Sequence, residues 1–346
     1  MKPKLEWLLV FVPVAFVLEF THANPVAIFV TAALAVLPLA VLMGHATEEL
    51  AVRSGPQLGG FLNATFGNLA ELIIAYFLIV EGQLAIVKAS LTGAIIGNVL
   101  LILGLSFLAG GWKRQQQTFS LASAELHSST LVIAVIALMM PALFFASGDV
   151  TEFRTEAVSI GVSVVLILTY AFSLIFSMKT HRSLFAQEEG HEEPKWSIRR
   201  SVTTLAVATI FVAVMSEFLV GALNHTVEKL HLSPLFVGLI IVPLISNAAE
   251  HASAILLAMK DKMSVSIEIA IGSSVQIALF VAPVLVFLSL LTAHPLDLIF
   301  TGFEIAAVGF SSAILAFIAL DGRSNWFEGV LLLAAYVIMA ISFFFL

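Results

Sequence analysis

The chain has 346 residues, of which 60% are hydrophobic and 11% charged, with a formal net charge of −7 and a mean hydropathy of +1.05. Charged residues make up about a quarter of an ordinary soluble protein, so this composition excludes a soluble fold and describes a single integral membrane domain in a lipid bilayer. Cysteine is absent, which removes disulfides, thiolate metal sites and cysteine nucleophiles together; no resident cofactor and no nucleic-acid partner are expected.

The first twenty residues, MKPKLEWLLVFVPVAFVLEF, have a charged start and an apolar run but no convincing small-residue cleavage site. They are read as the first span, near 5–20. Polar, Gly and Pro punctuation then cuts ten more helices, near 25–50, 57–80, 84–110, 119–145, 153–178, 201–229, 233–259, 263–292, 295–319 and 324–345. Several exceed the ~20 residues that a crossing needs, which predicts tilt or kinks. The expectation is an all-α multi-pass membrane protein of eleven transmembrane helices. Placing the N-terminus in the cytoplasm puts all of the sixteen Lys and Arg except Lys88, Arg154 and Lys229 on the cytoplasmic side, as the positive-inside rule requires. The C-terminus then lies outside, and in a prokaryote the membrane is the cell membrane.

The longest polar stretch, KTHRSLFAQEEGHEEPKWSIRR at 179–200, divides the chain nearly in half. Sliding the second half on the first by 179 residues lays Gly67, Asn68 and Glu71 over Ser246, Asn247 and Glu250. The same offset lays Gly93 over Gly272, and Thr47 and Glu49 over Thr226 and Glu228. One offset serving three separated segments marks an internal repeat. The expected organisation is a first helix over 1–22, one repeat over 23–178, a cytoplasmic linker over 179–200 and a second repeat over 201–346. With five spans in each, the two copies enter the membrane from opposite sides. Inverted repeats of this kind recur in secondary transporters, whose substrate sites lie near the midplane where the repeats meet.

The motifs FGNLAEL (66–72) and ISNAAEHAS (245–253) place Asn68 with Glu71, and Asn247 with Glu250, three residues apart in apolar helices. At that spacing both side chains share a helix face. A carboxylate in mid-membrane costs about 2.5–3.5 kcal/mol on insertion scales unless a partner, water or ion answers it. No Lys or Arg lies near either motif along the chain, so the expected compensating charge is a bound cation or protons rather than a fixed base. The plainer alternative is that each Glu is protonated and serves only to bond helices together. Carboxylate and amide oxygens suit a hard cation, and Ca2+ takes six to eight oxygen ligands in flexible geometry. Glu71 and Glu250 are the candidate metal ligands; His251, beside Glu250, is a candidate proton relay because histidine titrates near neutrality. Asn98, Ser273, Ser274 and Gln276 in the following helices, with Glu48, Glu49 and Glu217 near helix ends, are auxiliary or gating candidates. Their other reading is interhelical hydrogen bonding or solvated helix ends. In the linker, Glu188, Glu189, Glu192 and Glu193 around His191 form a regulatory candidate that a flexible solvated run would equally explain.

At these motifs the sequence resembles the cation/proton exchanger family of the Ca2+/cation antiporter superfamily. The resemblance covers nearly the whole chain and includes LTGAIIGNVLLILG, IGSSVQIALFVAP, the acidic linker and GRSNWFEG. It implies an eleven-helix exchanger moving Ca2+ against protons, with Glu71 and Glu250 as central ligands and Asn68, Asn247 and His251 at or beside the site. The repeats are not chemically equivalent, since Ser246 stands where the first copy has Gly67. Protons and Ca2+ compete for the same oxygens. If the protein changes sides only when loaded with one or the other, competition becomes exchange. Sodium-coupled calcium exchange and a divalent-cation channel are the nearest alternatives. An intramembrane metalloenzyme would need an H-E-x-x-H arrangement, which AEHAS and GHATEE lack, so no enzyme activity is expected. Gly93 and Gly97 have a spacing that suits close helix packing within one chain or between two copies.

Overall fold

The computed structural model describes residues 5–148, 151–181 and 194–346. A 3-10 turn, Leu5–Val10, leads into α1, Phe11–Phe20. Asn24 then starts α2, Pro25–Phe66, by accepting a hydrogen bond from the Val26 N–H while Pro25 occupies the first helical position. This helical run is not straight. Eight residues of straight helix rise about 12 Å, yet a Cβ built on Gly59 would lie 2.2 Å from the carbonyl oxygen of Ala51. The backbone therefore folds back sharply between them, in a stretch whose sequence, SGPQLGG, is rich in helix interrupters.

Past this bend come α3 (Leu69–Val80), α4 (Leu84–Ile96), a π-helical turn (Gly97–Ile102), α5 (Leu103–Gly111), α6 (Leu121–Ala146) and α7 (Glu152–Ile175). The second half holds α8 (Ile198–Gly221) and α9 (Leu223–Leu230), then α10 (Pro234–Phe236), a π turn (Val237–Ile241), α11 (Val242–Ser246) and α12 (Ala248–Met259). It closes with α13 (Met263–Gln276), a π turn (Ile277–Val281), α14 (Ala282–Ser289), α15 (Gly302–Ile318) and α16 (Trp326–Phe344). A short antiparallel ribbon pairs β1 (Gln117–Thr118) with β2 (Arg323–Ser324).

Among the described residues, seven helical runs are long and apolar enough to cross a bilayer, and an eighth is formed if 234–246 and 248–259, bent by 66°, are one span. Three shorter apolar helices, Trp7–Phe20, Leu69–Val80 and Gly302–Ile318, accompany them. Burial sorts them into layers: 83% of the apolar window in 84–111 and 67% of that in 263–289 is buried, against 22% in α16. The α4–α5 and α13–α14 runs are therefore the centre. The outer helices turn side chains such as Phe172 on α7 and Ile338 on α16 outward, where lipid replaces the missing protein neighbours.

The helix expected over 295–319 begins later than its hydropathy suggests, because residues 290–301 are not helical. Their backbone groups are taken up by side chains instead. Ser289 Oγ accepts from Leu296 N–H and Ser159 Oγ from Leu298 N–H, while Lys88 Nζ pairs with Asp297 at 2.8 Å and donates to the Ile299 carbonyl. Such bonds are what allow irregular backbone inside a membrane protein. Thr301 and Glu304 then start α15 with a reciprocal capping box that leaves Glu304 buried; its T-x-x-E signature is present in TGFE at 301–304.

Glycines set the closest helix approaches, as expected where no hydrophobic force drives helices together in lipid. A Cβ on Gly329 of α16 would lie 2.5 Å from Leu108 N and 2.6 Å from the Gly104 carbonyl of α5. Gly329→Ala therefore overpacks this crossing, at a cost of about 1–3 kcal/mol. Thermal unfolding in detergent should show a lower Tm than Gly309→Ala, whose added carbon meets nothing within 4 Å; equal Tm values would contradict the packing.

Candidate functional site

The two Asn–Glu motifs do not lie in the middle of continuous helices. Asn68 (φ −94°, ψ 14°) and Asn247 (φ −102°, ψ 11°) interrupt their helices with nearly the same backbone, each standing immediately before the half-helix that carries its Glu. Glu71 and Glu250 thus occupy the first turn of α3 and α12. Asn is a residue that tolerates such bridge conformations and competes with the helix for its own backbone bonds. The consequence is electrostatic. The first turn of a helix presents unpaired N–H groups and the positive end of the helix dipole, so each carboxylate is placed where its negative charge is least unfavourable.

The likeness between the two copies continues past the site. Glu81, Gly82 and Gln83 end α3 and begin α4 as Lys260, Asp261 and Lys262 end α12 and begin α13, with positive φ at Gly82 (71°) and Asp261 (65°). All three pairs of equivalent positions are 179 residues apart.

Asn68, Glu71, Asn98, Asn247, Ser273 and His251 are all buried. They meet across the two halves. Asn68 Nδ2 donates to Gln276 Oε1 at 2.5 Å, and His251 Nε2 lies 3.2 Å from Asn98 Oδ1. Ser273 Oγ donates to Glu250 Oε2, and Asn247 Nδ2 to Ser246 Oγ at 3.3 Å. Asn98 sits in the Gly97–Ile102 π turn, and Gln276 immediately precedes the Ile277–Val281 π turn, a local widening often found at functional positions. Glu71 lies within coulombic reach of Glu250 and beside the Asn247 amide, yet neither of its oxygens has a hydrogen bond of proper geometry. Asn68 Oδ1 and Asn98 Nδ2 are likewise buried and unpaired. Such atoms are costly to leave unanswered.

The carboxylates are not equivalent. Glu250 has the Ser273 hydroxyl, whereas the position equivalent to Ser273 in the first copy is Ala94; Glu71 consequently has no such donor. Glu250 is half-buried while Glu71 is 3% exposed. The Gln276 and Asn98 partnerships join opposite halves, and Ser273 reaches Glu250 from the next helix of the same half, so spacing along the chain flags these residues without pairing them.

Other residues singled out by sequence lie elsewhere. Glu49 Oε2 accepts from the Trp196 N–H at 3.0 Å, and Arg53 donates to the Trp196 carbonyl, so Glu49 clamps the start of the second half rather than joining the site. Glu48 and Glu217 are both away from it: Glu217 is exposed on α8, and Glu48 is exposed near the end of the straight part of α2. Ser274 is turned onto the Ala270 carbonyl. Glu188, Glu189, His191, Glu192 and Glu193 lie outside the described residues. Among the described residues no group of three or more His, Asp or Glu is close enough to hold a metal ion by itself. A cation here would need the two Glu supplemented by amide, hydroxyl and backbone oxygens, which hard-cation chemistry accepts.

The family model for sodium/calcium exchanger protein matches residues 24–179 and 200–345. A Ca(2+)/H(+) antiporter of Aphanothece halophytica is 44% identical over 98% of this chain and 95% of its own. The Ca(2+)/H(+) antiporter ChaA of Bacillus subtilis (strain 168) is 46% identical over 97% of both chains. The structure of native YfkE superposes with a TM-score of 0.88 at 41% identity, covering 99% of this chain and all of that one. A crystal structure titled H+/Ca2+ exchanger CAX shares the fold, with a TM-score of 0.72 at 17% identity over 99% of this chain and 91% of that one. With its two halves each matched and its whole length covered by these relatives, the chain belongs to the sodium/calcium exchanger protein family.

Proposed function

We propose that this chain is a Ca2+/H+ antiporter that carries Ca2+ out of the cytoplasm in exchange for protons. The observation that carries the reading is the pair of first-turn carboxylates, Glu71 buried and Glu250 half-buried, with no Lys or Arg paired to either among the described residues. Two relatives of 44–46% identity over nearly the full length, both named Ca(2+)/H(+) antiporters, support it.

Glu71 and Glu250 are the metal ligands. Asn68 and Asn247 supply amide oxygens and the helix breaks, and His251, held by Asn98, governs proton access to Glu250. Ser273 and Gln276 position Glu250 and Asn68. Either Ca2+ or protons neutralise the site, and the loaded protein alone changes sides. Ca2+ is substrate, not cofactor, and the activity is transport rather than catalysis. Eleven spans fit the architecture: the seven long runs, the bent pair and the three short apolar helices. One family model matching each half separately supports two repeats around a linker. The basic-residue distribution supports a cytoplasmic N-terminus and an outer C-terminus. Glu49 and Glu217 play no direct part in this reading.

In proteoliposomes with an imposed pH gradient, Glu71→Gln and Glu250→Gln should each abolish Ca2+ exchange while the protein keeps its elution volume and helical content. Near-normal exchange in both would overturn the assignment. Ser273→Ala removes a hydrogen bond to a charged group and should weaken Ca2+ binding by about tenfold or more. Ser274→Ala should leave it unchanged in the same calorimetric titration. Because protons and Ca2+ compete, acidifying the binding medium must weaken Ca2+ binding, by about tenfold in apparent Kd per pH unit for each proton displaced. An affinity independent of pH would exclude competition at a shared site.

A further inference from the structure

The repeat relation makes a demand on the two copies of the crossing between α4 and the Val237–Ile241 turn that this structure meets on one side only. At one crossing, a Cβ on Gly93 of α4 would lie 2.1 Å from the Leu239 carbonyl, and one on Gly238 would lie 2.7 Å from Ala89 Cβ and 2.8 Å from the Ile86 carbonyl. Backbone meets backbone there, and only glycine permits it. Adding or subtracting 179 gives the equivalent positions: Gly272 for Gly93, Gly59 for Gly238, Val265 for Ile86 and Glu268 for Ala89. Gly272 does not make the equivalent contact. A Cβ on Gly272 meets nothing within 4 Å, and Gly59 is packed on Ala51 at the α2 bend instead. Burial follows the same division, with Ile86 1% and Ala89 0% exposed but Val265, Glu268 and Gly272 half-exposed. Glu71 is buried and Glu250 half-buried in the same sense.

We infer that the Gly93–Gly238 crossing is a glycine seal that closes the outer half of the ion pathway, and that Gly272 and Gly59 form its unmade counterpart, which closes the cytoplasmic half when the protein turns outward. The placement rests on the antiporter reading and its orientation, in which Gln83 and Ser233 lie outside and Lys262 inside. On this assignment the structure is the cytoplasm-open state. Exchange requires the first crossing to part as the second forms, and the α2 bend, which holds Gly59 against Ala51, must rearrange for that to occur. Glycine at 272 is then explained by the conformation that is not observed, since here a Cβ at this position would meet nothing within 4 Å.

The absence of cysteine from the chain allows a direct test. Gly272→Leu should fold, because its site is open in this state, yet slow pH-driven Ca2+ exchange in proteoliposomes by about tenfold or more through overpacking of the counterpart crossing. Gly309→Leu, whose added side chain also starts in open space, should exchange as the parent does. In parallel, single cysteines Ile86→Cys and Val265→Cys are treated with a membrane-impermeant thiol reagent in vesicles of known orientation. Val265→Cys should react from the cytoplasmic side, with the Gly272→Leu background reacting at least as fast, while Ile86→Cys in that background should be protected from both sides. Parent-like exchange by Gly272→Leu, or equal labelling of the two cysteines in the locked background, would overturn the seal. Should Gly272→Leu be poorly folded, Gly272→Ala takes its place with the same readouts. Failure of the parent protein to exchange Ca2+ for protons would refute the functional reading instead, and the labelling pattern would still decide the seal.

Discussion

Two carboxylates in an apolar interior are the constraint from which the rest of this structure follows. A charge in that setting has to be answered, and among the described residues no Lys or Arg pairs with Glu71 or Glu250. What the fold supplies is backbone at both and the Ser273 hydroxyl at Glu250. Each Glu stands in the first turn of a half-helix, where unpaired N–H groups and the helix dipole favour negative charge. Breaking a helix in the membrane is itself costly, and the freed groups must be enclosed by protein. That is why the runs around the breaks, α4 with α5 and α13 with α14, are the most buried of the seven long apolar spans among the described residues.

Asymmetry between the copies is equally informative. A strict duplicate would give each carboxylate the same partners, but Ser273 faces Glu250 where Ala94 stands in the first copy, and Asn98 reaches His251 where the equivalent positions hold Ile277 in the second copy and Leu72 in the first. Part of the difference is written in side chains and is permanent. The rest is conformational: the same glycine crossing is made at Gly93 and unmade at Gly272. The permanent part divides chemical labour between the two Glu, and the conformational part decides which side of the membrane they face.

Much of this was legible in the residues. The spans near 84–110, 119–145 and 263–292 match helical runs closely because hydropathy and punctuation are local properties, and the Asn–Glu motifs stand out because mid-membrane acids are rare. Three features were not legible. The helix break at Asn247 has no Gly or Pro at the break itself, since Asn adopts the required backbone without one, and at the first break Gly67 precedes Asn68 in a sequence that hydropathy reads as continuous. The non-helical 290–301 segment is held by Lys88, Ser159 and Ser289, two of them distant in sequence, so its hydropathy reads as the start of a helix. The pairs Asn68–Gln276 and Asn98–His251 join opposite halves, and only the packing of one half on the other reveals them.

The central claim is that Ca2+ and protons compete for one pair of carboxylates and move in opposite directions. Its most direct test is to reconstitute the purified protein in liposomes, impose a pH gradient, and follow Ca2+ and internal pH together, with a matched Na+ gradient as control. The account predicts Ca2+ movement that requires the pH gradient and dissipates it, with no drive from Na+. Ca2+ movement indifferent to pH, or driven by Na+ alone, would contradict it.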